Sequence, residues 1–173
     1  MAYNDYSGGR GNFNRQQQQD RLQIKPAVEI KSFYKPGTDV PEQDLFDKKA
    51  QEIAESFVGK DDMGKDIGVS STQLRRVFDE VKRYERLLSG TDAKWEEQLP
   101  YIKMIKSKVA YTVARAAKKK PKEPCVRGVY KNLEAFISSG INLIKTEKDY
   151  HVFVSLFEAV YGFYYDKAPK NAN

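Results

Sequence analysis

The sequence predicts an all-α protein, a compact five-helix bundle preceded by a disordered N-terminal tail. After residue 40, apolar residues recur at three- and four-residue steps, which is the spacing of one helix face. No long stretch alternates apolar and polar residues, and no Asn-Gly pair joins two strand-like runs, so the signals of a β-hairpin are missing. Polar, Gly- and Pro-containing breaks divide the pattern into five segments, and helices joined by short connections form bundles.

Segments without helical periodicity are predicted at both ends of the chain. Residues 1–40 are expected to be a disordered Gly/Asn/Gln-rich tail and an extended lead-in. The first 22 residues hold few aliphatic side chains and so cannot offset the entropy of ordering. Two prolines disfavour helix in the lead-in. The helical domain is expected over residues 41–167, and residues 168–173 are expected to be a disordered C-terminus.

Two helices are predicted in the first half of the domain. Thr38 or Asp39 can cap the first helix, which Gly59 ends. The second begins with a capping box over residues 70–73, in which the Gln73 side chain reaches back to the N–H of the cap. The inward positions of these two helices are Leu45, Ala50, Ile53, Ala54, Phe57, Val58, Leu74, Val77, Phe78, Val81, Tyr84 and Leu88.

Three longer helices are predicted in the second half. The regular part of the third helix begins near Leu99, either directly or after a short turn around Trp95, because Pro100 is tolerated in a first turn but not further inside. It runs to about Lys118. A loop rich in lysine and proline separates it from a fourth helix over about residues 126–144. Thr146 can cap the fifth helix. The inward positions of the fourth helix are Val129, Leu133, Phe136, Ile137, Ile141 and Ile144.

Composition excludes several classes of protein. No apolar run approaches the roughly 20 residues that a membrane-spanning helix needs. The first five residues lack the basic start and apolar stretch of a signal peptide, so a cytoplasmic location is expected. Cys125 is the only cysteine and His151 the only histidine, which rules out an intramolecular disulfide and a Cys/His zinc site.

The net charge of +6 is concentrated in the middle of the chain. Residues 71–131 hold sixteen Lys and Arg against seven Asp and Glu, whereas residues 41–70 hold four against eight. Between Pro100 and Lys122 there is no acidic residue, although a solvated helix surface usually mixes both signs. This local excess of cations favours contact with RNA or DNA over a merely solubilising surface.

Helix geometry aligns many of these cations with an aromatic residue. Lys108, Tyr111 and Arg115 recur at three- and four-residue steps, so they share one face of the third helix. Cations in such a row meet phosphates, while the tyrosine offers a stacking surface. Arg75 and Arg76 lie in the first turn of the second helix, where phosphate would offset their repulsion from the helix dipole, although pairing with nearby acids explains this second group equally well. The candidate RNA-binding residues are Arg75, Arg76, Arg83, Lys103, Lys106, Lys108, Tyr111, Arg115, Lys118 and Lys119.

The residues that could support catalysis are isolated. His151 has no Cys or Ser nucleophile motif beside it, and a single helix histidine is most often structural. Asp61, Asp62 and Asp66 are close in sequence but lack the twelve-residue calcium-loop pattern. We therefore expect no catalytic residue, no metal site and no cofactor.

Three groups of residues together resemble a known family. They are Ser70-Ser71-Thr72-Gln73-Leu74-Arg75-Arg76-Val77-Phe78, then Leu99-Pro100-Tyr101-Ile102-Lys103-Met104 with Val109-Ala110-Tyr111, and finally Tyr161-Gly162-Phe163-Tyr164-Tyr165. In order and spacing these segments resemble the small subunit of type III-A CRISPR effector complexes, the Csm-type small subunit. The resemblance covers roughly residues 42–167 and leaves the Gln-rich tail outside.

The resemblance implies a non-catalytic RNA-binding subunit with a compact five-helix domain. Several copies would lie along a ribonucleoprotein filament, beside backbone and large subunits, and would stabilise the duplex of guide RNA and target RNA through backbone contacts in antiviral defence. RNA cutting would belong to the backbone subunits, and DNA cleavage to the large subunit. By position, Arg75 and Arg76 match the basic helix start of the family, and Lys103, Lys108 and Arg115 fall on its basic helix.

Two other functions are compatible with the pattern. The first is a helical protein–protein adaptor that presents aromatic residues of its last helix to a partner. The second is a nucleic-acid-binding bundle outside CRISPR, such as a helix-turn-helix DNA binder, in which Gln73 and Arg75 would begin the recognition helix. The Gly-rich loop before Gln73 fits this second alternative poorly.

Overall fold

The computed structural model describes residues 23–90, 93–119 and 124–169. The predicted disordered tail over residues 1–22 lies outside the described residues, as do residues 170–173 of the predicted C-terminus. In the described part the five predicted helices are present, and the all-α fold class is confirmed. The helices are α1 (Ala50–Ser56), α2 (Ser71–Leu88), α3 (Trp95–Lys119), α4 (Pro124–Leu143) and α5 (Glu147–Lys167).

The first helix begins later than predicted. A π-helical turn, Leu45–Lys49, leads directly into α1. Thr38 caps no helix, because its hydroxyl donates to the Lys35 carbonyl at 3.1 Å and its backbone belongs to a turn. Gly37 in this turn has a φ of 70°, a left-handed conformation that interrupts a helix and that glycine adopts without strain.

The third helix begins about one turn earlier than predicted. It starts at Trp95, so Pro100 lies inside the helix, where it removes one backbone hydrogen bond. The earlier turn is stabilised by tertiary packing, because the Trp95 ring lies 6.3 Å from that of Tyr150. Glu96 and Glu97 in the first turn also favour the positive end of the helix dipole.

A small antiparallel sheet is the main feature that helical periodicity missed. Its strands are β1 (Gln23–Ile24), β2 (Val58–Lys60) and β3 (Asp66–Gly68), in that order. Strands of two or three residues are too short to show alternation. The turn between β2 and β3 is built by Asp61, whose carboxylate accepts from the N–H groups of Met63 and Lys65, each at 2.9 Å.

The core forms around α4, whose six predicted inward residues are all buried. The Phe136 ring lies 5.8 Å from that of Phe153 and 5.3 Å from that of Phe157, both on α5. At Gly140, a Cβ atom would overlap the Phe153 ring, so only glycine permits this approach of α4 and α5. The lead-in adds Phe33, which is also buried and lies 6.4 Å from Phe153.

The two predicted helix caps have different outcomes. At Thr146 the capping box is confirmed, since its hydroxyl accepts from the Asp149 N–H at 3.2 Å and the Asp149 carboxylate accepts from the Thr146 N–H at 2.9 Å. At Ser70 the predicted box is wrong. The Ser70 N–H donates to the Tyr130 hydroxyl at 3.0 Å, and this hydroxyl donates to the Gln73 side-chain oxygen. A tyrosine of α4 therefore joins both groups that were expected to pair locally.

The described helices differ from membrane spans in composition. Within residues 23–90, 93–119 and 124–169, none of them combines the length and the apolar composition that crossing a bilayer requires.

Candidate nucleic-acid interface

A groove between α2 and α3 brings several predicted residues together. It encloses about 250 Å³. Its floor is apolar, because Val77 of α2 and Ile105 and Val109 of α3 are buried there. Its rim carries the charged and aromatic side chains Arg76, Lys108, Tyr111 and Arg115. We call this feature the α2/α3 groove.

Helix periodicity explains why the rim and the floor share these two helices. On α3, Lys108, Thr112 and Arg115 succeed one another at steps of four and three residues, so they follow one edge of the helix. Positions 105 and 109 form the adjacent apolar stripe that faces the core. The amphipathic α2 likewise turns Val77 inward while Arg76 remains exposed. The groove therefore lies where the exposed cationic surfaces of α2 and α3 meet above their shared apolar core.

One acidic residue crosses the groove. Glu80 of α2 accepts a charge-assisted hydrogen bond from Lys108 of α3. Its carboxylate also lies 3.7 Å from the guanidinium of Arg83. Three cations, at positions 76, 108 and 115, thus line the groove with this single carboxylate. The lining therefore has a net positive charge, although Glu80 neutralises the charge of Lys108.

The two other predicted arginines of α2 lie outside the groove lining. Arg83 donates to the Tyr84 hydroxyl at 2.9 Å, and its guanidinium lies 4.7 Å from the centre of the Tyr84 ring. This hydrogen bond, followed by the charge of Glu80, raises the pKa of Arg83. Arg75 is exposed, and its Nε atom is 3.8 Å from the Asp79 carboxylate. Both arginines are accessible but take part in contacts on the surface of their own helix.

Two predicted lysines of α3 are directed at the end of α4. The Lys103 ammonium donates to the carbonyls of Ile141 at 2.6 Å and Ile144 at 2.7 Å. Burial, followed by the neighbouring charge of Lys106, lowers the pKa of Lys103. Lys106 donates to the side-chain oxygen of Asn142 at 2.7 Å. These contacts hold the two ammonium groups on α4, away from the groove lining.

The remaining predicted residues lie toward the C-terminal end of α3. Tyr111 is 67% exposed although its neighbours in the groove floor are buried. Lys118 is exposed, and the Lys119 side chain lies outside the described residues. The apolar floor and Glu80 were absent from the predicted site. Glu80 is 28 residues from Lys108, so no local spacing could have indicated their pairing.

The other titratable side chains form surface or buried contacts. His151 lies between two carboxylates, with Nδ1 3.8 Å from Glu85 and Nε2 3.6 Å from Glu147. Cys125 is buried, and this burial raises the pKa of its thiol, which disfavours the reactive thiolate. Among the described residues, no group of three or more His, Cys, Asp and Glu side chains is arranged to hold a metal ion.

The chain thus folds as a small helical bundle, and cations line its α2/α3 groove. The family model described as Csm2 Type III-A matches residues 41–168, well over half of the chain. The chain therefore belongs to the Csm2 family of type III-A, which makes it a small subunit of a multi-subunit type III-A CRISPR effector complex. The resemblance found in the sequence is confirmed. Comparison with curated proteins and with solved structures gives no significant match.

Proposed function

We propose that this chain is a non-catalytic subunit that binds the RNA phosphate backbone along the α2/α3 groove. In the effector complex it stabilises the duplex of guide RNA and target RNA and thereby serves antiviral defence in the cytoplasm. Its partners are the two RNAs, the backbone and large subunits, and further copies of itself. The helical RNA-binding domain comprises residues 41–167.

The observation that carries the proposal is the positive balance of the groove lining. Arg76 and Arg115 lie in the lining on opposite helices, and Lys108 lies in the same lining with Glu80 as its partner. Between Pro100 and the end of α3 there is no acidic residue that would repel a bound phosphate. Each phosphate contact by Lys or Arg releases counterions, which makes binding depend on salt concentration.

The ten predicted residues contribute unequally to this proposal. Arg76, Lys108, Tyr111 and Arg115 form the centre of the proposed surface, because they line the groove. Arg75, Arg83, Lys118 and Lys119 would extend it along the two helices. Lys103 and Lys106 are assigned a smaller part, because their ammonium groups are bound to α4.

The test is a filter-binding titration of the full chain with single-stranded RNA over a range of salt concentrations. Replacing both Lys108 and Arg115 with alanine should lower the slope of log affinity against log salt by about 0.7–1.4, since each phosphate contact contributes about 0.7. A matched control replaces Lys48 and Lys148, two exposed lysines paired with Asp44 and Asp39 away from the groove.

The control variant should retain the wild-type slope. An unchanged slope in the groove variant, or an equal loss in the control, would contradict the assignment of this surface. Backbone binding should also be independent of base sequence, because phosphate contacts carry no direct sequence information.

The two alternatives have less support. The adaptor would present Phe157, Tyr161, Phe163, Tyr164 and Tyr165 of the last helix. Of these, Phe157 and Tyr164 are fully buried, and only Tyr165 is largely exposed, at 78%. The helix-turn-helix alternative requires a helix just before α2. Strand β3 occupies that place instead, so Gln73 and Arg75 do not begin a recognition helix of that motif.

A further inference from the structure

We infer that the α2/α3 groove receives one unpaired RNA base, which stacks on Tyr111 while Arg76 and Arg115 contact the adjoining phosphates. This inference rests on the proposed function, because it concerns the same groove and the same ligand class. It goes beyond that function in one respect. Backbone contact alone would leave the bases outside the protein, whereas here one base enters it.

The composition of the groove indicates a flat, partly apolar ligand. Phosphate binding needs cations but no apolar floor, yet Val77, Ile105 and Val109 form one beneath the cationic rim. Tyr111 remains 67% exposed beside this floor. An aromatic side chain next to cations is the combination on which single-stranded bases stack, because every base has a π-face.

The size of the groove restricts the ligand further. Its volume of about 250 Å³ is below the range of about 300–1,000 Å³ that is usual for drug-sized ligands. One base suits such a space. A base within a helical duplex is also stacked and paired, so its faces and edges are occupied. Proteins therefore bind bases in this way from single-stranded or splayed-out positions.

Arginines lie on both sides of the groove. Arg76 approaches the groove from α2 and Arg115 from α3. Lys108 is already paired with Glu80, so the two arginines are the stronger candidates for phosphate contact. Guanidinium groups suit phosphate geometry because they donate two parallel hydrogen bonds.

The experiment compares oligouridylate with an abasic ribose-phosphate strand of equal length, each titrated with the full chain at a low and a high salt concentration. The wild-type chain should bind the abasic strand about 5- to 100-fold more weakly, as expected when one base–aromatic stack is lost. Tyr111→Ala should weaken oligouridylate binding by a similar factor and abasic binding much less, because the abasic strand offers no base to the ring. Tyr111→Phe should keep the wild-type preference, because the ring is retained.

Tyr101→Ala is the matched control. Tyr101 is another exposed tyrosine of α3, at 54%, but it is not part of the groove lining, so this variant should behave as wild type with both strands. Equal effects of Tyr111→Ala on both strands, or no effect on either, would overturn base insertion. Salt-sensitive binding that persists in that case leaves the proposed function standing. If neither strand binds in a salt-sensitive manner, the proposed function fails and base insertion fails with it.

Discussion

Two neighbouring parts of α3 carry similar cations but use them differently. Lys103 and Lys106 direct their ammonium groups to α4, whereas Lys108 and Arg115 line the α2/α3 groove. In the sequence all four belong to one acid-free stretch. The cations of one helix can therefore be of two kinds: some form contacts that stabilise the fold, and others remain accessible to a ligand.

The end of α4 explains why the fold uses Lys103. The last turn of α4 contains no basic residue of its own, and the final carbonyls of a helix lack partners within that helix. Lys103 supplies the missing donor from α3 by binding the carbonyls of Ile141 and Ile144. A cation is favourable there because the C-terminal end of a helix carries partial negative charge.

The largest expected effect comes from removing this donor. Lys103→Ala should lower the free energy of unfolding by about 2 kcal/mol, because hydrogen bonds to charged groups contribute about 1.5–3 kcal/mol. The salt slope of RNA binding should change by much less than the roughly 0.7 expected for one phosphate contact. Urea unfolding and RNA titration of the same variant check both values. If Lys103→Ala is as stable as wild type but has a reduced salt slope, Lys103 binds RNA instead of stabilising the fold.

A second structural use of cations occurs at Glu55. Its carboxylate accepts from Lys25 and lies 3.3 Å from the ammonium of Lys167. The hydrogen bond from Lys25, followed by one from Gln51, lowers the pKa of Glu55 from 4.5 to about 2. A carboxyl with a lower pKa in the folded state stabilises the protein above pH 4.5, and this stabilisation is lost as the pH falls from about 4.5 to 2.

Glu55→Gln should therefore lower the free energy of unfolding at pH 7 by about 1 kcal/mol, since charge-assisted hydrogen bonds are lost at a half-buried site that solvent partly screens. As the pH falls from about 4.5 to 2, the difference from wild type should shrink, because the wild-type carboxyl becomes protonated. Urea unfolding of both proteins at pH 7, 4.5 and 2.5 measures this convergence. A constant difference at all three values would show that Glu55 acts through packing rather than charge.

A smaller effect is expected from Glu80→Gln, which should strengthen RNA binding rather than destabilise the fold. Glu80→Gln removes the carboxylate that neutralises Lys108, so Lys108 becomes available to phosphate. The salt slope should rise by up to about 0.7, and RNA should bind several-fold more tightly at low salt. Glu134→Gln is the matched control, because Glu134 is equally exposed, at 23%, and pairs with Lys131 on α4. Equal affinities of the two variants would contradict a role for the groove.

The smallest effect is expected for Lys106→Ala. Its hydrogen bond to Asn142 is exposed, so the loss of unfolding free energy should stay below about 0.5 kcal/mol. If the ammonium remains on α4 when RNA is bound, the salt slope should also be unchanged. A slope reduced by about 0.7 would show that Lys106 leaves Asn142 for a phosphate, and the accessible cations would then include it.

Much of the fold was predictable because helix formation leaves a local periodic signal. The inward residues of α4 and the Thr146 cap followed from spacing alone, and both are confirmed. The capping box predicted at Ser70 is absent, because the group that binds the Ser70 N–H, the Tyr130 hydroxyl, is 60 residues away. The three strands were missed because two or three residues are too few to establish an alternating pattern.

The candidate site was predictable in composition but not in arrangement. The alignment of Lys108, Tyr111 and Arg115 on one face followed from helix geometry. Helix geometry did not predict which cations would form contacts within the fold, because Lys103 donates to carbonyls that are 38 and 41 residues away in the sequence. Such long-range contacts depend on how helices pack, and no spacing within one helix encodes them.

The contact at Glu55 also joins two parts of the chain that are far apart in the sequence. Lys25 lies just after β1 and Lys167 ends α5, yet both side chains meet the same carboxylate of α1. One side chain thus ties the lead-in and the last helix to α1, so its loss would loosen both at once.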